Sequence, residues 1–268
     1  MYKRILVPVD GSGFSEQLLD PASAVAQATA TELVLLRVVD GDDDPGHAAE
    51  YVEALAAPLG AKALSVRAGT GGIAAAISAE AHRVPGTLVA MCSHGRSGVV
   101  KAMFGNVALS VLRELGEPLV VFRPRLHGPA APSKISRVVL PLDGSALSET
   151  IMDQAAVLAK WLGARLIVVS VIEASAQREA SVAAGDVQEA SYVRDKARDI
   201  TSRHGVGTGW EVLHGDPKQA IPEFVRSLGG AMLAMTTHGR TGLQGVITGS
   251  VTAQCLRDAE VPVFTRLP

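Results

Sequence analysis

The chain has 268 residues, of which 47% are hydrophobic and 4% aromatic, and its formal net charge is −2 at pH 7. This length is sufficient for two ordinary domains, and the near-neutral balance gives no global field that would favour nucleic acid or an acidic membrane. The two cysteines have neither disulfide nor metal spacing. No apolar run approaches the ~20 residues of a membrane span, and the first apolar run is too short for the apolar region of a signal peptide. We therefore expect a cytoplasmic protein.

Short apolar runs alternate with helical patterns along the first half of the chain. Ile5–Val9 is a continuous apolar run, which is typical of a parallel strand covered on both faces. Ser15 then resembles the N-cap of a helix that ends at about Ala28. The remaining strands and helices are predicted, in chain order, at Leu33–Val39, 42–57, Ala63–Val66, Ile73–His82, Leu88–Met91, Gly105–Leu115 and Leu119–Phe122.

The second half of the chain repeats the first. Arg4–Ser12 returns as Arg137–Ser145, and Leu33–Leu36 returns as Leu166–Val169. Each copy is far longer than a solenoid repeat, so these are two copies of a whole domain. The second copy is predicted to form elements at Val138–Leu142, Ser148–Leu162, Leu166–Ile172, 187–203, Trp210–Leu213, Pro217–Ser227, Ala231–Met235, Gly249–Arg257 and Pro262–Thr265.

Five strands alternating with four helices in each copy predict an α/β fold with two tandem, doubly wound, five-stranded parallel sheets of the Rossmann-like type. The segment between the copies is rich in proline and lacks apolar periodicity. We therefore predict a first domain at 1–123, a linker at 124–134 and a second domain at 135–268.

A strand, a glycine-bearing loop and a helix start follow one another twice. The loops lie at 91–98 and 235–242, and the helix starts at Gly105-Asn106 and Gly249-Ser250. Glycines let backbone N–H groups approach an oxygen closely, and a helix N-terminus adds free donors and a partial positive charge. Ser250 adds a hydroxyl. Each copy is therefore predicted to carry an anion-binding site.

Asp10 and Asp143 end the first strand of each copy and precede Gly-Ser. Such a carboxylate can accept a hydrogen bond from a ribose hydroxyl or hold Mg²⁺ through water, but it can also bond to its own turn. Val38 and Val171 lie near the ends of the second strands, where backbone groups could pair with an adenine edge; both could also be plain core.

The loops also carry histidines and arginines. His94 and His238 precede loop glycines, and no orienting carboxylate or nucleophile is signalled for them, so a positioning or structural role is favoured over acid–base chemistry. Arg96 and Arg240 could contact a terminal phosphate or be merely solvated. No P-loop is present, and Gly11-Ser-Gly13 lacks the third glycine of a dinucleotide fingerprint.

Taken together, these residues resemble the universal stress protein family, with two such domains fused. The family's ATP-binding pattern is Gly, two residues, Gly, nine residues, Gly, then Ser or Thr. Gly239, Gly249 and Ser250 match its later part in the second copy, and Gly95 and Gly105 match it in the first. The resemblance implies that Asp10 and Asp143 bind nucleotide and that the backbone at Val38 and Val171 contacts adenine.

The resemblance also implies ATP with Mg²⁺ as the ligand and assigns no catalytic residue and no direct metal ligand. The residues expected to hold the nucleotide are Asp10, Val38, Ser93, His94, Gly95, Gly98, Gly105, Asn106, Asp143, Val171, Thr237, His238, Gly239, Gly242, Gly249, Ser250 and Val251.

Three positions depart from the family pattern. Cys92 and Thr236 stand where the first glycine belongs, and a backbone there with φ above zero would cost these residues roughly 1 kcal/mol or more. Asn106 replaces the hydroxyl residue, and its amide donates differently. The second site is therefore expected to be more intact than the first.

The leading expectation is an ATP-binding regulatory protein of the stress response, with little or no hydrolysis, acting as a homodimer with an unknown regulatory partner and neither nucleic acid nor membrane. One alternative is an enzyme such as an ATP-pyrophosphatase-like adenylating domain, but Asp10-Gly-Ser-Gly does not supply its Ser-Gly-Gly-x-Asp-Ser loop. The other alternative is a structural dimerisation module with vestigial sites.

Overall fold

The computed structural model describes residues 1–41, 43–93, 105–124, 134–173, 179–237 and 249–268, with only the backbone described at 179–186. The chain divides into two compact units, Met1–Lys134 and Ile135–Pro268. The predicted linker at 124–134 lies mostly outside the described residues and stays a prediction.

In the first unit, the described strands are parallel and alternate with helices. The strands are β1 (Arg4–Val9), β2 (Glu32–Val39), β3 (Lys62–Arg67), β4 (Thr87–Cys92) and β5 (Leu119–Phe122). The helices are α1 (Gly13–Glu16), α2 (Leu19–Ala28), α3 (Pro45–Ala56), α4 (Gly72–Arg83) and α5 (Asn106–Glu114), with a 3₁₀ turn at Ala57–Leu59. The spatial order of the strands is β3-β2-β1-β4-β5.

The second unit repeats this order as β8-β7-β6-β9-β10, again with parallel pairing. Its strands are β6 (Arg137–Pro141), β7 (Arg165–Ile172), β8 (Thr208–His214), β9 (Ala231–Thr236) and β10 (Val263–Arg266). Its helices are α6 (Ala146–Glu149), α7 (Met152–Leu162), α8 (Glu179–His204), α9 (Pro217–Leu228) and α10 (Ser250–Asp258).

The central strands are buried on both faces. Leu6 and Val7, which are neighbours in β1 and therefore point to opposite faces, are both 0% exposed. Leu35 and Leu36 in β2 are likewise 0% exposed. A continuous apolar strand of this kind needs helices on both sides of the sheet, so the predicted doubly wound α/β fold is confirmed in each unit.

The strand order places a crevice in each unit. From β1 the chain moves to β2 and β3 on one side, and it then crosses to β4 and β5 on the other. The carboxyl ends of β1 and β4 therefore border a topological switch point, which is where open α/β sheets bind ligands. The ends of β6 and β9 form the equivalent place in the second unit.

The first helix of each unit differs from its prediction, because Ser12 and Ser145 are the N-caps rather than Ser15 and Ser148. Ser12 caps α1: its φ is −99° and its hydroxyl accepts a hydrogen bond from Ser15 N–H. Ser12 prevails because its Oγ also donates to Asp10 Oδ1, at 2.6 Å. The helical run is then interrupted, and α2 begins only at Leu19.

Helix α8 also differs from prediction, because it begins at Glu179 rather than near Val187. The sequence of the additional turns includes Ala180, Ala183 and Ala184, and alanine has high helix propensity. None of the described helices combines the length and apolarity needed to cross a membrane.

Candidate functional site

The first crevice begins at the turn that follows β1. Asp10 Oδ1 accepts from the Ser12 N–H at 3.0 Å and from the Ser12 hydroxyl at 2.6 Å. The Asp10 N–H in turn donates to Ser15 Oγ at 3.3 Å. The Asp10 carboxylate therefore organises its own turn, as one of the two sequence interpretations expected, while it also lines the crevice.

The second copy reproduces this turn closely. Asp143 Oδ1 accepts from the Ser145 N–H at 3.0 Å and from the Ser145 hydroxyl at 2.6 Å, and the Asp143 N–H donates to Ser148 Oγ at 3.4 Å. Since the contacts fix one carboxylate oxygen, the carboxyl group is held in one orientation at the carboxyl end of β6.

Each glycine loop is closed at its base by one backbone hydrogen bond. Gly105 N–H donates to the Ser93 carbonyl at 2.6 Å, and Gly249 N–H donates to the Thr237 carbonyl at 2.5 Å. Ser93 and Thr237 are 1% and 0% exposed, respectively. These two predicted site residues therefore anchor the loop ends, and their backbone carbonyls are already occupied.

The helices that follow the loops begin without side-chain caps. Gly105 precedes α5 and Gly249 precedes α10, and neither glycine has a side chain to bond the N–H groups of the first turn. In α10 the first intrahelical bond runs from Ala253 N–H to the Gly249 carbonyl at 2.9 Å. Ser250 and Val251 belong to this first turn, whose N–H groups have no intrahelical partner, and both residues line the crevice.

The expectation of strained backbone at Cys92 and Thr236 is wrong. Among the described residues only Ala30 and Glu260 have positive φ without being glycine. Cys92 and Thr236 end β4 and β9 in extended backbone, paired with Phe122 and Arg266 across the sheet. Any residue adopts that conformation, so the missing glycine costs no backbone strain.

Val38 and Val171 present backbone groups to the crevices. Val169 carbonyl accepts the Leu142 N–H at 2.8 Å, so this edge of β7 faces β6. Val171 lies two residues further along and faces the same edge, beyond Pro141, the last residue of β6. Its backbone groups consequently point into the crevice. Val38 holds the equivalent position in β2, and both valines line their cavities.

In each unit a hydrogen-bonded tyrosine and glutamate lie near the turn that carries Asp10 or Asp143. Tyr51 hydroxyl donates to Glu16 Oε1 at 2.8 Å, and Tyr192 hydroxyl donates to Glu149 Oε1 at 2.9 Å. Burial raises the pKa of both tyrosines, and the paired glutamate raises it further. Both phenols therefore stay protonated donors. In the second copy, Lys196 Nζ also bonds Glu149 Oε2 at 2.5 Å.

The cavities differ in size. The first encloses about 270 Å³ and the second about 850 Å³. The second extends past Ser170, whose hydroxyl donates to Glu189 Oε2 at 3.0 Å. At the equivalent place in the first cavity lies the Arg37 side chain, which is 9% exposed. Ligand pockets commonly have volumes of ~300–1,000 Å³, so the second cavity lies within this range and the first lies at its lower end.

Sequence reasoning missed Arg37, Ser170 and the two tyrosine–glutamate pairs. The available signal was one charged residue inside the apolar run Leu33–Val39. Several predicted residues fall outside the described part of the chain: His94, Gly95, Arg96, Gly98, His238, Gly239, Arg240 and Gly242. Within the described part, no group of three His, Cys, Asp or Glu side chains is arranged to hold a metal ion.

Comparisons with known proteins agree with this architecture. The model of the universal stress protein family matches residues 1–123 and 134–265. A universal stress protein of Methanocaldococcus jannaschii is 28% identical over 135 residues, covering 48% of this chain and 79% of that protein.

Solved structures show the same fold. A universal stress protein from Archaeoglobus fulgidus is similar to the whole chain with a TM-score of 0.70 and 20% identity, covering 100% of this chain and 99% of the other. A functionally unknown protein from Pseudomonas aeruginosa gives a TM-score of 0.67 at 20% identity, covering 100% and 93% of the two chains.

Proposed function

Because the chain belongs to the universal stress protein family, as a tandem of two such domains, we propose that it binds ATP with Mg²⁺ in the crevice of the second domain and serves as a regulatory protein. The nucleotide is held with little or no hydrolysis. Binding is tighter in the second domain than in the first. A homodimer and a regulatory protein partner stay predictions from the sequence.

One observation carries this proposal. A single cavity of about 850 Å³ brings together Asp143, the backbone edge at Val171 and the N-terminal turn of α10. These groups are respectively an acceptor for a ribose hydroxyl, a backbone edge for a base, and donors for a phosphate. Three chemically different parts of one nucleotide therefore have partners on three walls of one crevice.

The proposed positions of the nucleotide follow from that arrangement. The triphosphate lies over Gly249, Ser250 and Val251, together with the loop residues Thr237, His238, Gly239 and Gly242. The ribose lies beside Asp143, and Mg²⁺ is held by the phosphates and by water. The proposed ligands of the phosphate are mostly backbone N–H groups and a hydroxyl, which bind an anion. His238 is the titratable side chain among them, and the sequence signals no carboxylate that would orient it as a base for water.

The test first identifies any nucleotide that the purified chain releases on denaturation, and it then measures the binding of Mg²⁺-ATP by calorimetry. We expect ATP or ADP to be released when the protein is denatured. Gly249→Val should abolish binding in the second domain without unfolding it. Gly249 has φ −63° and ψ 155°, which any L-residue can adopt, whereas a β-branched side chain occupies phosphate space.

Gly105→Val is the matched control, because Gly105 has nearly the same backbone angles, φ −66° and ψ 160°, at the start of α5. It should leave the affinity of the second crevice unchanged. If the folded Gly249→Val variant binds ATP normally, the site assignment is wrong. If the parent chain carries and binds no nucleotide, the remaining reading is a dimerisation module with vestigial sites.

A further inference from the structure

One register position distinguishes the two crevices. Pro8 pairs with Leu36 across β1 and β2, and Pro141 pairs with Val169 across β6 and β7. The next residue is Arg37 in the first unit and Ser170 in the second. The two copies thus place a long cation and a short hydroxyl at the same point on the wall of the crevice.

Arg37 is fixed by two hydrogen bonds. Its Nη1 donates to the carbonyl of Val38 at 3.1 Å, and its Nη2 donates to Asp43 Oδ2 at 2.7 Å. The side chain of Arg37 is 9% exposed, and that of Asp43 is 36% exposed. Displacing this guanidinium breaks a hydrogen bond to a backbone carbonyl and an ion pair with a carboxylate, so these two contacts hold the side chain in place.

The Val38 carbonyl is the group that matters for a nucleotide. Val38 is the residue of the first unit that is equivalent to Val171, whose backbone points into the second crevice. The exocyclic amine of adenine is a donor and needs a backbone acceptor at such an edge. In the first crevice that carbonyl already accepts Nη1 of Arg37 at 3.1 Å, so the guanidinium lies in the space beside the acceptor that an adenine amine would need.

Ser170 has no side-chain bond to the Val171 carbonyl comparable with that of Arg37 among the described contacts. Its hydroxyl is turned to Glu189 Oε2, on α8, at 3.0 Å, and the cavity continues beyond it to Gln188 and Glu189. The cavity with the larger side chain, Arg37, is the smaller one, at about 270 Å³, and the cavity with Ser170 is the larger, at about 850 Å³.

We propose that Arg37, held by Asp43, closes the first crevice to adenine nucleotides, so that the chain binds one nucleotide, in the second crevice. This inference rests on the proposed function and adds to it the residue that makes the two copies unequal. Arg37 is a specificity determinant in this proposal, acting by occupying the acceptor and the space that adenine would use.

The experiment uses the full chain and calorimetry with Mg²⁺-ATP. The parent is expected to bind about one ATP per chain, and Gly249→Val to bind none. In the double variant Gly249→Val with Arg37→Ser, we expect binding of about one ATP to return, now in the first crevice. Asp43 is partly exposed, so its carboxylate stays solvated after Arg37 is removed, and thermal unfolding checks that the variant is folded.

The reciprocal exchange is Ser170→Arg, in which Glu189 takes the role of Asp43. We expect ATP to bind at least ~10-fold more weakly to this variant, whereas the control Ser170→Ala should stay within about threefold of the parent. The reciprocal variant keeps the inference testable if Arg37→Ser does not fold.

The outcomes separate the two proposals. A parent that binds no ATP contradicts the proposed function. A parent that binds two ATP per chain, a folded double variant that binds none, or Ser170→Arg with the affinity of the parent contradicts the role of Arg37 and leaves nucleotide binding in the second crevice standing.

Discussion

Among individual residues, the two cysteines, Cys92 and Cys255, have buried and unreactive thiols. Cys92 is 8% exposed and lines the first crevice, where its Sγ donates to the Phe14 carbonyl at 3.0 Å. Cys255 is 1% exposed, on α10. Burial raises the pKa of both, to about 12 for Cys255, and the nearby carboxylates Asp10 and Asp258 add to the effect.

We therefore predict that the native protein reacts very slowly with a thiolate-selective reagent such as DTNB. At pH 8, a thiol with a pKa of about 12 is ionised roughly a thousandfold less than one at the ordinary value of 9.0. Stopped-flow absorbance should show no fast phase in the native chain, and guanidinium should release two reactive thiols per chain. A native thiol that reacts within seconds at pH 8 would contradict this assignment.

Individual residues also show what a sequence can and cannot predict about a site. Asp10 and Asp143 were identifiable because a carboxylate at the end of an apolar strand points to one place in the fold. Arg37 was not, since its effect depends on which way the Val38 carbonyl faces and on a carboxylate six residues away in a loop. Contacts of a long side chain with a nearby carbonyl and a loop carboxylate leave no periodic pattern in the sequence.

At the scale of elements, two helices beside the crevices begin in the same way. Asp44 caps α3 and Asp216 caps α9; each carboxylate accepts a backbone N–H at 2.9 Å, and a proline follows at the first helical position. An N-cap aspartate satisfies one of the otherwise unpaired donors of the first turn and interacts favourably with the helix dipole.

We predict that Asp44→Ala destabilises the protein by about 1 kcal/mol, measured as the shift in the midpoint of urea unfolding multiplied by the m-value. Asp44→Asn is the control, since an asparagine oxygen also accepts the N–H, and it should retain most of the stability. The same comparison at Asp216 should give a similar result. Equal stability of the alanine and asparagine variants would show that the cap contributes little here.

The elements themselves were largely predictable, and the exceptions have physical causes. Continuous apolar runs located the central strands within about one residue, because strands buried on both faces leave that pattern. The edge strands β3 and β8 are only partly buried, and their sequence patterns are weaker. The first helix was wrong because Ser12 and Ser15 are both good caps, and only the bond from Ser12 to Asp10 decides between them. Helix α8 was predicted too short because its first turns carry propensity without amphipathic pattern.

At the scale of the whole molecule, each unit has five parallel strands and a hydrophobic core of its own. Leu6 and Leu36 lie at the centre of the first, and Leu140 and Leu166 at the centre of the second, all 0% exposed. The described residues around the second crevice, including Asp143, Val171 and Ser250, all belong to the unit Ile135–Pro268. The proposed nucleotide site therefore needs groups from one unit.

We predict that residues 135–268, expressed alone, fold cooperatively and bind Mg²⁺-ATP within about threefold of the affinity of the full chain. Circular dichroism with thermal unfolding tests the first statement and calorimetry the second. Residues 1–134 are the control, expected to fold and not to bind. A second half that is folded but binds more than ~10-fold more weakly would show that the first half contributes to the site.

The backbone bonds that close the glycine loops, from Gly105 to Ser93 and from Gly249 to Thr237, have a consequence for evolution and engineering. They join strand to helix directly, so the framework does not depend on how many residues lie between the bonded ends. Lengthening a closed loop is entropically cheap, at about 0.6 kcal/mol for each doubling. The sequence between the bonded ends, at 94–104 and 238–248, is accordingly where a lineage, or a designer, can exchange residues while the sheet and helices stay unchanged.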